Sequence, residues 1–223
     1  MNVGDRIVNR VFTSTEKKQI FASPDPDKVL WAFWAGKETA YKIISKQYRV
    51  SFAPRLYEVR SACPDSRGFP SSIGDSRGFL TPDTERLEKP VASSSDCNAF
   101  AGVVDTPRDA CYIRFFLTCD YVHCIGTSLS SEIIDSIVWK VVEISPDSGT
   151  AKDIESAFVR EALTKHLAAF CSIKSDDIEI RRENEKHGLG PPLVYVKGML
   201  SDVDVSLSHD GRFAAYAFLL HSM

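Results

Sequence analysis

The chain is predicted to fold as two α+β halves, and three observations carry that expectation. Each half holds one long stretch whose apolar residues recur at helical spacing, around Val29–Trp34 and around Ile154–Phe170. Short runs rich in Val, Ile, Phe and Tyr follow each of them, bounded by Gly, Pro, Asp and Ser. A long Ser/Pro/Gly/Asp-rich stretch at residues 61–99 interrupts the first half alone. The boundary falls between residues 130 and 150, giving lobes 1–135 and 136–223.

Taken in order, Asp5 to Val11 reads as a short helix that the Asp5 carboxylate would open by accepting from free N–H groups. Thr13-Ser14-Thr15-Glu16 has the S/T-x-x-E spacing of a helix start. Asp25-Pro26-Asp27 precedes Val29, Leu30, Phe33 and Trp34, a pattern that predicts one buried helical face running to about Lys46. Strands are expected at Val50–Phe52 and Leu56–Val59. Residues 61–99 lack periodicity and read as a tolerated surface insertion, and the pentapeptide Asp-Ser-Arg-Gly-Phe found twice within it is too short for a structural repeat. Cys111–Phe116 and Tyr121–Ile125 suggest a hairpin, and Ile137–Ile144 another strand. Beyond the loop Ser145–Gly149, Ala151–Cys171 is a predicted helix. Strands near Ile178–Ile180, Leu193–Val196, Val203–Leu207 and Phe213–Leu220 close the chain.

Composition narrows the function classes. At 223 residues and 43% hydrophobic, the chain can bury a sizeable core. Lys+Arg of 27 against Asp+Glu of 30 gives a net charge of −3, so bulk electrostatics recruits neither nucleic acid nor an acidic membrane. Any anion site must be local. No apolar run approaches the roughly 20 residues of a bilayer span, and the polar N-terminus lacks a secretory core, so the expected compartment is the cytoplasm. The six cysteines show no C-x-x-C spacing and are expected as reduced, mostly buried thiols.

Two motifs carry the chemistry. In Trp34-Ala35-Gly36-Lys37-Glu38-Thr39-Ala40-Tyr41-Lys42, Glu38 and Lys42 lie four apart on one helix face, with Lys37 turned about 100° away. In Val205-Ser206-Leu207-Ser208-His209-Asp210-Gly211, an alternating strand ends at Ser208 and His209 beside a tight turn that would expose the histidine. A carboxylate suited to a divalent cation and several phosphate donors point to phosphoryl or phosphodiester transfer. His123, His166, His187 and His221 show no ligand spacing.

The combination W-x-x-K-E-x-x-x-K with S-x-S-H resembles the 4'-phosphopantetheinyl transferases, which move phosphopantetheine from coenzyme A (CoA) to a serine of an acyl or peptidyl carrier protein. Outside the insertion most of the chain is similar to the surfactin-type, two-lobed members, including Val11–Glu16, Cys111-Tyr112-Ile113-Arg114, and Arg160–Leu163 through Ile180. The resemblance implies two similar lobes in permuted order, because in those members the S-x-S-H lobe comes first. It implies Mg²⁺ held by Glu38, charge stabilisation by Lys37 and Lys42 with Lys42 the better CoA ligand, and phosphate contacts from Ser208 and His209. Arg160 and Lys165 would reach the CoA 3'-phosphate. Two departures stand out. The family's acidic G-x-D-x-E strand has no counterpart, so of its metal ligands only Glu38 is matched, and Gly190-Pro191-Pro192 carries proline where the family places a phosphate-binding lysine. These departures leave open a catalytically reduced relative that binds CoA or a carrier protein without transfer.

Overall fold

The computed structural model describes residues 8–48, 50–61, 98–144, 152–185 and 188–221. The chain divides into two compact units, Met1–Asp135 and Ser136–Met223. Both mix helices with antiparallel sheets, the α+β class that the patterns predict.

In the first unit the helix signals act as read. Thr13 caps helix α1 (Ser14–Ala22) through a reciprocal capping box: its Oγ1 accepts from Glu16 N–H at 3.3 Å, and Glu16 Oε2 accepts from Thr13 N–H at 2.8 Å. Asp25 then caps α2 (Pro26–Gln47) by accepting from Lys28 N–H, with Pro26 in the first turn, where its missing N–H costs nothing. Of the short helix expected at Asp5–Val11, residues 8–11 are helical and the rest lies outside the described residues.

Helix α2 buries Val29, Ala32, Phe33, Gly36, Ala40 and Ile44 against a four-stranded meander, β1 (Glu58–Ser61), β2 (Asn98–Asp105), β3 (Cys111–Leu117) and β4 (Val122–Thr127), paired in chain order. The close approach needs Gly36. A Cβ there would sit 3.0 Å from Phe115 Cζ and 3.2 Å from Ile113 Cδ1.

Two expectations fail in this unit. Val50–Phe52 is not a strand: Phe52 turns into an aromatic cluster with Trp34, Tyr41 and Tyr57 at centroid distances of 5.8, 4.7 and 5.8 Å. Pro54, which has no N–H to give a ladder, then starts a short 3-10 turn, and strand β1 begins only at Glu58. Strand β2 went unpredicted because Asn98, Ala99, Ala101 and Gly102 have low strand preference; its identity as a strand comes from pairing on both edges, with β1 and β3. Of the expected insertion at 61–99, residues 62–97 lie outside the described residues.

The second unit packs helix α3 (Lys152–Cys171) on two three-stranded antiparallel sheets. One has the order β5 (Val138–Glu143), β10 (Phe213–Leu220), β9 (Val203–Asp210); the other is β6 (Ile178–Glu185), β7 (Gly188–Val196), β8 (Met199–Leu200). Val159, Leu163 and Leu167 of α3 bury against Val205, Ala214, Tyr216 and Phe218. His166 is tied in by Nδ1 to Tyr216 OH at 2.9 Å, and burial, with Lys140 nearby, lowers its pKa. Gly190-Pro191-Pro192 lies inside β7, where Pro192 faces Arg182 and a bulge follows at Arg182/Asn184. The β9–β10 turn depends on Gly211, whose φ of +55° suits glycine.

Among the described residues no helix is long and apolar enough to cross a membrane. Cys111 is buried and Cys124 half-buried, and burial pushes both thiols up to about 12; Cys119 and Cys171 are exposed, so the expectation of mostly buried thiols holds for only part of the described set.

Candidate functional site

Helix α2 separates the two lysines of the first motif by environment. Glu38 and Lys42 project to its outer side and pair at 2.9 Å, with side chains 42% and 34% exposed. A carboxylate and an ammonium one turn apart, both reachable from solvent, can receive a cation and a phosphate respectively.

Lys37 is different, and the expectation that it meets the pyrophosphate is corrected here. Its side chain is fully buried. Nζ pairs with Glu16 Oε1 at 2.8 Å, donates to Pro54 O at 3.1 Å and to Tyr57 O, and lies 5.6 Å from the Phe12 ring centroid. Glu16 Oε1 also accepts from Val59 N–H at 2.8 Å. Rotation by one residue along α2 therefore turns Lys37 inward and leaves Glu38 outside. Burial lowers the Lys37 pKa, with the Glu16 carboxylate opposing that shift. The capping box and the KE motif thus share one buried ion pair, joining α1, α2 and β1. Nothing in the local spacing signals it, since Glu16 reads fully as a capping residue.

Strand β4 runs beside the Glu38–Lys42 pair. Thr39 Oγ1 donates to Cys124 O at 3.3 Å, anchoring the helix to that strand. His123 on β4 has its pKa lowered to about 4, by burial first and then by the Lys42 charge, so it stays neutral near pH 7. Ligand spacing assigns this histidine no part, because its neighbour Lys42 is far along the chain.

In the second unit, β9 continues through Asp210, so Ser208 and His209 lie within the strand and not at its end. Consecutive strand residues face opposite ways. His209 shares its face with Val205 and Leu207, the face that packs on α3, and its Nδ1 pairs with Glu155 Oε2 of that helix at 2.9 Å. Ser208 faces the other side, half-buried. Glu155 is a residue that sequence reasoning missed. Arg160 and Lys165 share α3, but Lys165 is exposed and pairs with Glu161 at 2.7 Å, while Arg160 is half-buried.

Residues 2–75 match the family model of the 4'-phosphopantetheinyl transferase superfamily. That segment, about a third of the chain, is similar to the superfamily. It takes in the capping box, the buried Glu16–Lys37 pair and the exposed Glu38–Lys42 pair. No curated protein and no solved structure matches the chain. The phosphopantetheinyl transferase match thus rests on the unit in which the motif carboxylate is exposed.

Proposed function

We propose that the chain transfers 4'-phosphopantetheine from CoA to a serine hydroxyl of an acyl or peptidyl carrier protein. The observation that carries this reading is the solvent-facing Glu38–Lys42 pair within a segment matching the transferase superfamily. In the reaction the serine oxygen bonds to the β-phosphorus of CoA, the bond from that phosphorus to the bridging oxygen breaks, and 3',5'-ADP departs.

The residues present suit a magnesium ion, which takes one or two protein carboxylates and fills its octahedron with phosphate oxygens and water. Glu38, an exposed carboxylate held by a single lysine, fits that demand. When bound, the ion would offset charge on the pyrophosphate. Lys42 supplies a second positive charge one helical turn away, and Glu38 can accept the serine proton. Within the second unit His209 is proposed to meet phosphate, whereas Ser208 lies on the opposite face of β9 and is not assigned to the same group. His209 carries a carboxylate partner, Glu155, which would hold it as a phosphate donor when protonated. Lys165, expected at the CoA 3'-phosphate, pairs with Glu161 on the exposed side of α3, and such exposed pairs are weak.

The test is loading of an apo carrier protein by the purified chain with CoA and Mg²⁺, followed by mass spectrometry. A carrier heavier by one phosphopantetheine supports the reading. CoA binding with no loading of any carrier would replace it by the alternative, binding without transfer.

A further inference from the structure

Packing explains most of helix α2. Ala32, Phe33, Gly36 and Ala40 are buried along one stripe, and Leu30 and Trp34 pack at the margin of the same core. Trp34 also meets Phe52, with ring centroids 5.8 Å apart. Trp31 belongs to neither set and is 56% exposed.

A single exposed apolar side chain is common and by itself needs no reason. The place of this one is what matters. Trp31 precedes Glu38 by seven helical residues, so the two stand about 20° apart around the axis and about 10 Å apart along it. Lys42 continues the line by one more turn, paired with Glu38 at 2.9 Å. Ala32 and Phe33, next to Trp31 in sequence, are fully buried, which turns position 31 away from the core. The outward ridge of α2 thus carries an indole, then a carboxylate and an ammonium, all reachable from solvent.

A serine on a folded carrier protein cannot come within hydrogen-bond reach of Glu38 without bringing the carrier's surface down over that ridge. Even a weak, transient interface covers about 600 Å² of each partner, a disc of radius about 14 Å. Centred on Glu38, such a footprint takes in Trp31 at about 10 Å. Tryptophan offers about 150–250 Å² to bury and is enriched where interfaces concentrate their binding energy. A nucleobase would also stack on an indole, but small ligands take concave sites, and Trp31 stands on a helix ridge opposite the buried stripe.

We propose that Trp31 is a docking contact for the carrier protein, meeting an apolar side chain that lies about 10 Å from the carrier's acceptor serine. The assignment rests on the transferase reading above, because it is the part given to Glu38 in that reaction that brings the serine to α2.

The experiment is loading of an apo acyl carrier protein by the full chain with CoA and Mg²⁺, for the unaltered protein, Trp31→Ala and Trp31→Phe. Expected in Trp31→Ala is a rise of at least about tenfold in the KM for carrier, with kcat and the KM for CoA unchanged, and Trp31→Phe should recover most of the loss. Both variants should unfold at the urea midpoint of the unaltered chain, since the indole takes no part in the core. A second readout is independent of turnover: carrier added to the unaltered chain should shift its indole emission to the blue, and the shift should vanish in Trp31→Phe, where Trp34 and Trp139 remain. An unchanged KM for carrier in Trp31→Ala overturns the contact and leaves the transferase reading standing. Weaker CoA binding in Trp31→Ala makes the indole a base-stacking group and overturns the contact too, as does a lower urea midpoint, which would assign the indole to the fold. If the chain neither loads nor binds any carrier, the transferase reading fails and takes this contact with it.

Discussion

Replacing Lys37 by Met tests whether the motif's first lysine is a core element or a ligand. Met retains the stem and removes an ammonium that makes three polar contacts in the core, to Glu16, Pro54 O and Tyr57 O. Breaking one side of a buried ion pair typically costs about 3–5 kcal/mol. Here Glu16 keeps two backbone donors, Thr13 N–H and Val59 N–H, which softens the loss, while two carbonyls lose a donor worth about 1 kcal/mol each. The two effects offset one another, so a loss of about 3–5 kcal/mol is expected from urea unfolding followed by circular dichroism. Glu16→Gln should cost about 3 kcal/mol by stranding the ammonium, and the double variant should cost at least about 1 kcal/mol less than the sum of the two. The folded Lys37→Met protein should bind CoA with unchanged affinity. A stability within about 1 kcal/mol of the unaltered chain, or strict additivity, would refute the buried-pair argument; a large drop in CoA affinity at full folding would restore Lys37 as a ligand.

Glu38→Gln removes the charge but keeps the shape of an exposed side chain, so carrier loading should vanish while stability changes by under about 0.5 kcal/mol; loading at the unaltered rate would refute the proposed role. His209→Ala should weaken CoA binding at least about tenfold, checked by calorimetry, and Glu155→Gln should weaken it less, since the imidazole stays but loses its acidic partner. His123, neutral in the fold down to about pH 4 against 6.5 when unfolded, contributes full stability above pH 6.5. As pH falls from 6.5 to 4 the unfolded chain takes the proton first, removing about 3 kcal/mol; His123→Phe should flatten that slope in pH-dependent unfolding. Gly36→Leu should destabilise by more than about 1–3 kcal/mol, because even a Cβ would press on Phe115 at 3.0 Å, and a stability equal to the unaltered chain would show that α2 can lift off β3 freely.

Local signals made the helices legible. The capping box at Thr13–Glu16, the Asp25-Pro26 start and the apolar spacing of α2 and α3 act within one or two turns, where sequence and geometry are nearly the same thing. The same is true of the exposed Glu38–Lys42 pair, four residues apart on one helix. Strand β2 and the missing strand at Val50–Phe52 were decided otherwise, by what lay alongside: two strands flanking a weak strand former in one case, an aromatic cluster in the other. Tertiary structure alone sent Lys37 to the core, because Glu16 and the carbonyls of Pro54 and Tyr57 come to it from separate segments and together offset the cost of burying its charge. It also joined His209 to Glu155 and brought the Lys42 charge to bear on His123. Residue types and spacings determined which groups were available for phosphate chemistry; their burial, and the partners reached across the fold, decided which remain free to perform it.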